Sequence, residues 1–484
     1  VRLKRDLRYT VEPNDTSKVV RFHDFQKVEH TCRIKDYSRT GVSFYLEDGS
    51  LLEKIGDIIP DLRFYSNNQL AHSSASTIIH IQDEDTDGKV VSCIGCSYID
   101  RFMDIYSIVK ADKLSKLQTD FQDFLQSIAI EENLDNEFVN LTSHLHYILE
   151  EFEARLAGEL EKIRKEDESL HDVLIKTLQD LAFEALNEEL SRYYNQFTAI
   201  TWRFTDPKQS FIHREFFQKR LRSHLAKSAL CKRSLTKPLG YAGDYEMMNI
   251  IYRNTFEGED LFSQILNKVD CEGSASKAVR NRRFFLFSKI RDQILNAPED
   301  RGIRIMSIAC GPALEFYDVL RSFEGMPLNT GIEFIAIDQD FLALEDARRR
   351  VESAAKGHPH IRTRFEQDNI KRMIVDSCNS RELYHDADLI YSAGLFDYLS
   401  NRASTRLIEK LYSFLKPGGI LIIGNFGTYN PQRFIMEFGG EWFLIYRSEE
   451  DLKALAAGLP GSPRLLVEKE PEGVNLFMVI KKPD

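Results

Sequence analysis

Residues 304–315, Arg304-Ile-Met-Ser-Ile-Ala-Cys-Gly-Pro-Ala-Leu-Glu315, and residues 334–340, Phe334-Ile-Ala-Ile-Asp-Gln-Asp340, decide the fold of the C-terminal part of this 484-residue chain. The first stretch reads as a buried strand, a tight turn of small residues and the start of a helix. The second reads as the next strand, ending in an acid. A unit of this kind is expected to hold a nucleoside. The turn Ala309-Cys310-Gly311-Pro312-Ala313 lets a ligand approach the backbone closely. Asp338, followed by Gln339, is placed to accept hydrogen bonds from ribose hydroxyls, although it could instead be a helix N-cap. A turn poor in glycine does not suit a pyrophosphate, which wants several free amides at a helix start. A small sulfonium nucleoside fits better.

Outward from this unit, residues 296–484 alternate strand and helix patterns, which predicts a parallel sheet with helices on both faces. The end differs: Arg464–Lys469 and Asn475–Lys481 flank Glu470-Pro471-Glu472-Gly473 and read as a hairpin. Together these features resemble a class I S-adenosylmethionine-dependent methyltransferase, a Rossmann-like α/β fold. That resemblance implies S-adenosylmethionine as cofactor and Asp338 as the ribose ligand. Glu315, in the first turn of a helix, either compensates the helix dipole or reaches the methionyl amino group. Asp368, beside Asn369, is implied as the acceptor of the adenine amino group. Leu389–Leu399 reads as the central strand and its exit loop, so Ser392, Gly394 and Leu395 should border the cofactor. Leu415-Lys-Pro-Gly-Gly-Ile420 is the helix-to-strand turn familiar from these enzymes. The chain departs from the usual pattern at Ala309 and Ala313, which stand where glycines are common, and at Ser307, where an acid is common.

Residues 113–295 read as a helical linker or lid domain. Leu141, Leu145, Ile148, Phe152, Leu156 and Ile163 recur mostly at spacings of three and four. Ser169 with Asp172 is read as a capping box for a second helix carrying Leu170, Val173, Leu174, Leu178, Leu181, Leu186 and Leu190. The two should pack as an antiparallel pair, and a coiled-coil homodimer is the lesser alternative. Further on, Gly240-Tyr241-Ala242-Gly243-Asp244-Tyr245 precedes an amphipathic helix. It is read as a lid over the cofactor or, more plainly, as a turn in which Asp244 is the N-cap. Ala278–Phe285 holds Arg280 and Arg283, one of which could pair with the methionyl carboxylate or lie on a solvated basic face.

The run Lys237–Glu246, with Ala278–Arg283, the 309–313 turn and Gly394-Leu-Phe-Asp-Tyr-Leu399, resembles a bacterial group. Its members are described as extracellular factor, hydroxypalmitic acid methyl ester biosynthesis methyltransferases. The similarity covers roughly residues 205–484. It implies methylation of a 3-hydroxy fatty acid carboxylate to a diffusible signal. A carboxylate acceptor is already ionised at neutral pH, so positioning and desolvation should dominate the catalysis. Tyr241, Tyr245, His213 and Tyr398 are candidates to orient that carboxylate. Trp442, Phe443 and Tyr446 either line an acyl slot or belong to the core.

Residues 1–112 read as short strands, among them Val19–Phe22, Cys32–Ile34, Val42–Leu46 and Val90–Tyr98. Turn clusters separate them at Glu47-Asp48-Gly49 and Asp83–Gly88. This predicts a small β-barrel. Lys4, Arg5 and Arg8, with Asp36-Tyr-Ser38-Arg-Thr-Gly41, resemble the two motifs of a PilZ domain, which implies cyclic di-GMP as an effector. Lys4 stands at an arginine position and lacks the planar fork, for which Arg5 could substitute. Gly41 is read as giving the backbone its turn. The alternative is a barrel that only packs or dimerises.

The formal net charge of −11 argues against a nucleic-acid polymer as partner. No apolar run approaches the about 18 residues of a membrane span. Seven cysteines without paired spacing suit a reducing cytoplasm. Cys93 and Cys96 are read as core residues, and no metal site is expected. The reading that results is a multidomain α+β methyltransferase acting on a fatty-acid-like small molecule. Two alternatives stand beside it: a cyclic di-GMP-responsive regulator with little turnover, and a protein carboxyl methyltransferase.

Overall fold

The computed structural model describes residues 8–11, 15–24, 26–46, 54–66, 69–86, 89–131, 133–298, 301–325, 330–370, 373 and 384–484. The chain forms two compact units, residues 1–132 and 133–484. The second unit contains both the α/β region and the helical region from residue 133 onward.

The first unit contains β1 (Tyr9–Thr10), β2 (Lys18–His23), β3 (Glu29–Ser38), β4 (Gly41–Leu46), β5 (Ile58–Ser66), β6 (Gln69–Thr86), β7 (Lys89–Tyr98) and helix α1 (Ile105–Glu131). The strand order is β1-β3-β2-β5-β6-β7-β4, and β4 pairs back onto β3. All of these pairs are antiparallel. Six strands thus close a barrel that leaves no open edge between them, and β1 lies outside it. Alternate side chains fill its centre: Val20 and Phe22 from β2, Ile34 from β3, Phe44 from β4, Leu62 and Phe64 from β5, Ile94 from β7. The barrel expectation holds in outline. Two corrections follow from pairing. The sequence reading passed over β5 and much of β6, and β6 pairs with β7 out to Thr86↔Lys89, so Asp83–Thr86 is strand and not turn. Cys93 and Cys96 are both buried free thiols.

The second unit begins with helices α2 (Asn136–Ile163), α3 (His171–Thr201), α4 (Pro207–Leu225), α5 (Ala229–Thr236), α6 (Tyr245–Arg253), α7 (Leu261–Glu272) and α8 (Ser274–Leu295). Leu145, Leu149 and Leu156 of α2 pack with Leu186, Leu190 and Phe197 of α3. The apolar stripe of α3 is buried only from its middle onward, since Leu170, Val173 and Leu181 remain exposed. The turn before α3 is capped by Asp167, whose side chain accepts from Ser169 N; Leu170, the residue before the helix, makes no side-chain cap, so the Ser169–Asp172 box is not formed.

Then follow β8 (Ile303–Ile308), α9 (Leu314–Ser322), β9 (Ile332–Asp338), α10 (Phe341–Ala355), β10 (Ile361–Gln367), β11 (Ala387–Ser392), α11 (Asn401–Phe414), β12 (Leu415–Phe426), α12 (Glu449–Leu455), β13 (Arg464–Lys469) and β14 (Asn475–Lys481). The sheet order is β10-β9-β8-β11-β12-β14-β13, parallel except for β14, which runs antiparallel to β12 and to β13. Successive residues serve opposite faces. Ile303 and Ile305 meet α8, α9 and α10 through Ile290, Phe316 and Val351, whereas Met306 and Ile308 meet α11 and α12 through Leu407, Leu411 and Leu452. Burial on both faces explains why these strands read as continuous apolar runs. A one-turn π-helix at Ile435–Gly439 joins sheet to bundle: Phe434 and Phe438 sit among Phe138, Phe197 and Phe217.

Candidate functional site

β8 has its parallel neighbours β9 and β11 on opposite sides, and the connections leave in opposite directions there. Open α/β sheets bind ligands outside the strand carboxyl ends at such a switch point. A cavity of about 310 Å³ opens at this place. Its floor comes from the strand ends and the loops that follow: Ser307, Ala309, Cys310 and Gly311 at β8, Ile337, Asp338 and Gln339 at β9, Asp368 past β10, and Tyr391, Ala393, Gly394, Leu395 and Asp397 at β11. Its roof comes from Tyr241, Gly243, Tyr245, Met248, Tyr252, Arg282, Phe426 and Trp442. A shallower groove continues from it past Leu239, Gln339, Asp340, Gln367 and Asn369.

The floor depends on a bent backbone. Ala309, Gly311 and Ala313 all have φ near +50°. Alanine rarely adopts this region, so the loop stores strain that the surrounding sheet must hold. A Cβ added to Gly311 would meet no atom within 4 Å, so the loop presents bare backbone to open space. Asp338 is buried, and its two oxygens accept from Gly311 N at 2.9 Å and Asp340 N at 3.0 Å. Each oxygen keeps acceptor capacity. Burial raises the Asp338 carboxyl above its ordinary value. Glu315, also buried, accepts from Tyr391 Oη at 2.9 Å, and burial raises it too.

Arg282 is the one cation among the described lining residues, at 8% exposure. Its Nη2 points at Met248 Sδ, 2.9 Å away, and its buried Nε has no hydrogen-bond partner. Gly394 leaves room for it, since a Cβ there would come within 3.0 Å of Arg282 Nη1. The expectation for Arg280 and Arg283 is corrected here. Arg280 donates to carbonyls of Ile251 and Cys271, and Arg283 forms a bidentate pair with Asp318 at 2.6 and 2.7 Å. On a helix the three arginines point in different directions, and only the middle one faces the cavity.

Gly243 has φ +77°, and a Cβ there would overlap the Tyr398 hydroxyl and lie 3.2 Å from Trp442 Cζ2. That hydroxyl accepts from Trp442 Nε1 at 2.7 Å and donates to Ala242 O at 3.0 Å. Tyr398 therefore ties the 239–244 loop to the floor. Asp244 does not line the cavity: it is the N-cap of α6, accepting from Met247 N and pairing with Arg233 Nε at 2.6 Å. The plainer alternative for Asp244 is the one the structure has. Ser392 is also structural, donating to Ile308 O at 2.9 Å across the switch point. Asp368 accepts from Tyr384 Oη and Asn369 N, which fixes its carboxylate at the cavity edge.

His213 lies elsewhere. It is buried against Phe138 and Phe204, its Nε2 accepts from Asp135 N at 2.8 Å, and its Nδ1 faces Gln209 O at 2.7 Å. Burial lowers its proton affinity, so it is a neutral brace at the start of α2. Phe443 is exposed beneath the Arg214 guanidinium, and Tyr446 packs under Arg433, so of the three suggested slot residues only Trp442 lines the cavity.

Sequence reading missed Asp397. It is buried and lines the cavity, and burial pushes its carboxyl up to about 7 against the pull of Phe426 N, Arg282 and Arg447. Arg447, buried, holds this corner by donating to the carbonyls of Phe396 and Leu399 and to Asn401 Oδ1. A conspicuous Gly-Leu-Phe-Asp run was the available signal. Its chemistry depends on burial, which the run does not encode.

In the first unit, Arg8 Nη1 lies 2.6 Å from Asp36 Oδ1 and 3.1 Å from Ser43 Oγ. Ser38 pairs with Gly41 across the β3–β4 hairpin. Gly41 is needed for a different reason from the one expected: a Cβ there would strike the Cys96 carbonyl oxygen of β7. Lys4 and Arg5 lie outside the described residues. Among the described residues no helix is long and apolar enough to cross a membrane.

The sequence matches no protein-family model and no curated protein. Similar solved structures include a possible exported protein from Bordetella parapertussis, at 18% identity and TM-score 0.42, covering 62% of this chain and 97% of that one. Magnesium protoporphyrin IX methyltransferase (ChlM) from Synechocystis PCC 6803 with bound SAH aligns at 10% identity and TM-score 0.34, covering 48% and 93%. N-methyltransferase NodS from Bradyrhizobium japonicum WM9 in complex with S-adenosyl-l-homocysteine aligns at 17% and 0.29, covering 43% and 88%. These TM-scores are below 0.5, so the functional reading rests on the cavity itself.

Proposed function

We propose that the switch-point cavity binds S-adenosylmethionine and that the chain is a methyltransferase. One observation carries this: a buried guanidinium with an unpartnered Nε shares a strand-end cavity with the buried acids Glu315 and Asp338. An amino acid joined to a nucleoside presents the complementary groups. Arg282 would hold its carboxylate, Glu315 its ammonium, Asp338 its ribose hydroxyls and Asp368 its adenine amino group. The excess of acids over the single cation suits a ligand with net positive charge. When bound, that cofactor supplies an electrophilic methyl group on a sulfonium centre.

The chain's own residues position the acceptor and exclude water. Met248, Leu395, Phe426 and Trp442 form an apolar wall, and the Tyr241 and Tyr245 hydroxyls are the groups available to orient an oxygen acceptor. The acceptor class we favour is a fatty carboxylate, in keeping with the family resemblance. Such a group requires no base. A second reading, methylation of a hydroxyl, is favoured by Asp397, a cavity carboxyl whose proton affinity lies near neutrality and which could take up the hydroxyl proton. For the barrel we propose cyclic di-GMP binding at Arg8, Asp36 and Ser38, resting on the half-exposed Arg8 guanidinium held beside Asp36.

Calorimetric titration with S-adenosylmethionine tests the central reading; binding that is absent, or unchanged in Arg282→Met, sinks it. Incubation with a lipid extract and methyl-labelled cofactor, read by mass spectrometry, separates esters from ethers. A separate titration with cyclic di-GMP, repeated with Arg8→Ala, tests the barrel.

A further inference from the structure

Helices α2 and α4 pack through an apolar seam of Leu145, Leu149, Phe217, Leu221 and Leu225. One polar cluster interrupts it. His146 and Glu150 lie one turn apart on the same face of α2, with His146 Nε2 3.5 Å from Glu150 Oε1. His224, in the last turn of α4, brings its ring to 5.0 Å from that of His146. One donor atom from each of the three lies within 4.8 Å of the others.

Hydrogen bonding marks this cluster as different from the other bundle histidines. His213 uses both ring nitrogens, and His144 Nδ1 meets Tyr193 Oη at 2.6 Å. Nδ1 of His146 and Nδ1 of His224 are each buried with no hydrogen-bond partner, and His224 is 8% exposed. Buried polar atoms are normally satisfied, so the orphan Nδ1 of His224 calls for a ligand, while His146 offers Nε2 toward Glu150. The nearest carboxylate to His224 Nδ1, Glu153 Oε2, is 3.7 Å away, and Glu153 is already engaged by Lys227.

We propose that His146, Glu150 and His224 form a site for a divalent transition-metal ion of the zinc class, which clamps α2 to α4. Two imidazoles and a carboxylate are a zinc donor set. Tetrahedral bonds of the usual length place neighbouring donors about 3.3 Å apart. The His146–Glu150 pair is close to that spacing, and the half-exposed Glu150 side chain is free to rotate inward. The site is independent of the proposed methyl transfer.

The test uses the full chain, stripped with EDTA and titrated with cobalt(II) as a spectroscopic stand-in for zinc. The expected result is one equivalent bound, with the visible bands of a four-coordinate site, displaced by zinc. Affinity should fall at least tenfold in Glu150→Ala, a surface change that leaves folding intact, and in His146→Ala, and stay unchanged in His144→Ala. Zinc should raise the melting temperature of the parent chain and not of His146→Ala. Absence of saturable binding, a thiolate charge-transfer band, or undiminished affinity in both Glu150→Ala and His146→Ala would overturn the proposal.

Discussion

The barrel of the first unit and the doubly wound sheet of the second solve the problem of strand edges differently. Closing six strands leaves the barrel with one core and pairs its one described motif cation, Arg8, with Asp36. The open sheet buries both faces under helices, and its chain connections diverge at the switch point between the paired strands β8 and β11. Side chains that meet there are only partly satisfied by the neighbouring strands: Glu315 accepts from Tyr391 and Asp397 from Phe426 N. The result is Arg282 with an orphan Nε, and Glu315, Asp338 and Asp397 held above their ordinary proton affinities by burial. The barrel also holds buried polar atoms without a partner, Arg21 Nε on β2 and Tyr98 Oη on β7, whereas the unpartnered Arg282 Nε of the second unit belongs to a side chain that lines the strand-end cavity.

Glycine substitutions give the largest expected contrast. Gly41→Ala forces a methyl group into the Cys96 carbonyl and should cost the barrel about 3 kcal/mol or more, because backbone must move. Gly311→Ala meets only open space and carries the cost of φ +52°, about 1 kcal/mol. Chemical denaturation that ranks these two in the opposite order would break the comparison. Next comes Arg282→Met, expected to weaken cofactor binding roughly 100-fold, the loss of about 3 kcal/mol from an unpaired charge-assisted contact. Arg283→Ala, which removes the pair with Asp318 and the guanidinium over the Tyr252 ring, should lower the calorimetric affinity far less than Arg282→Met.

The pH dependence of Asp397 is a subtler probe. Its folded pKa of about 7 lies above the ordinary 3.8, so the native state holds the extra proton. The stabilisation is fully present below about pH 4 and lost as pH rises through about 7. Asp397→Asn should flatten that part of the stability profile. If a hydroxyl is the acceptor, turnover rises through pH 7 in the parent and the variant loses that limb; a carboxylate acceptor leaves no such limb. The smallest effect belongs to the barrel surface. Asp36→Ala removes a half-exposed ion pair and should change stability by less than about 1 kcal/mol. A larger loss by thermal denaturation would show that the hairpin is more tightly coupled than its exposure implies.

Much of the site was legible because it is local. Ala309–Pro312, Asp338, Asp368 and Gly394 belong to short segments whose position at strand ends follows from the alternating pattern, Tyr241 belongs to the loop before α6, and all of them line the cavity. What misled was rotation about a helix axis. Arg280, Arg282 and Arg283 are equivalent in composition, and only packing of α8 against the sheet selects which one turns inward. The same applies to His213, whose polar ring ended in an aromatic nest, and to Asp244, whose carboxylate served its own helix.

The sequence by itself determined the parallel strands, their apolar runs, the terminal hairpin and the acids at the strand ends, because each depends on the period of a few neighbouring residues. Only the tertiary structure decided that the second unit contains both the sheet and the helices from residue 133 onward, that Arg282 is the cavity's cation, and that His146, Glu150 and His224 converge. Those outcomes depend on burial and on contacts between segments remote in sequence, where desolvation changes what a side chain can do without changing what it is.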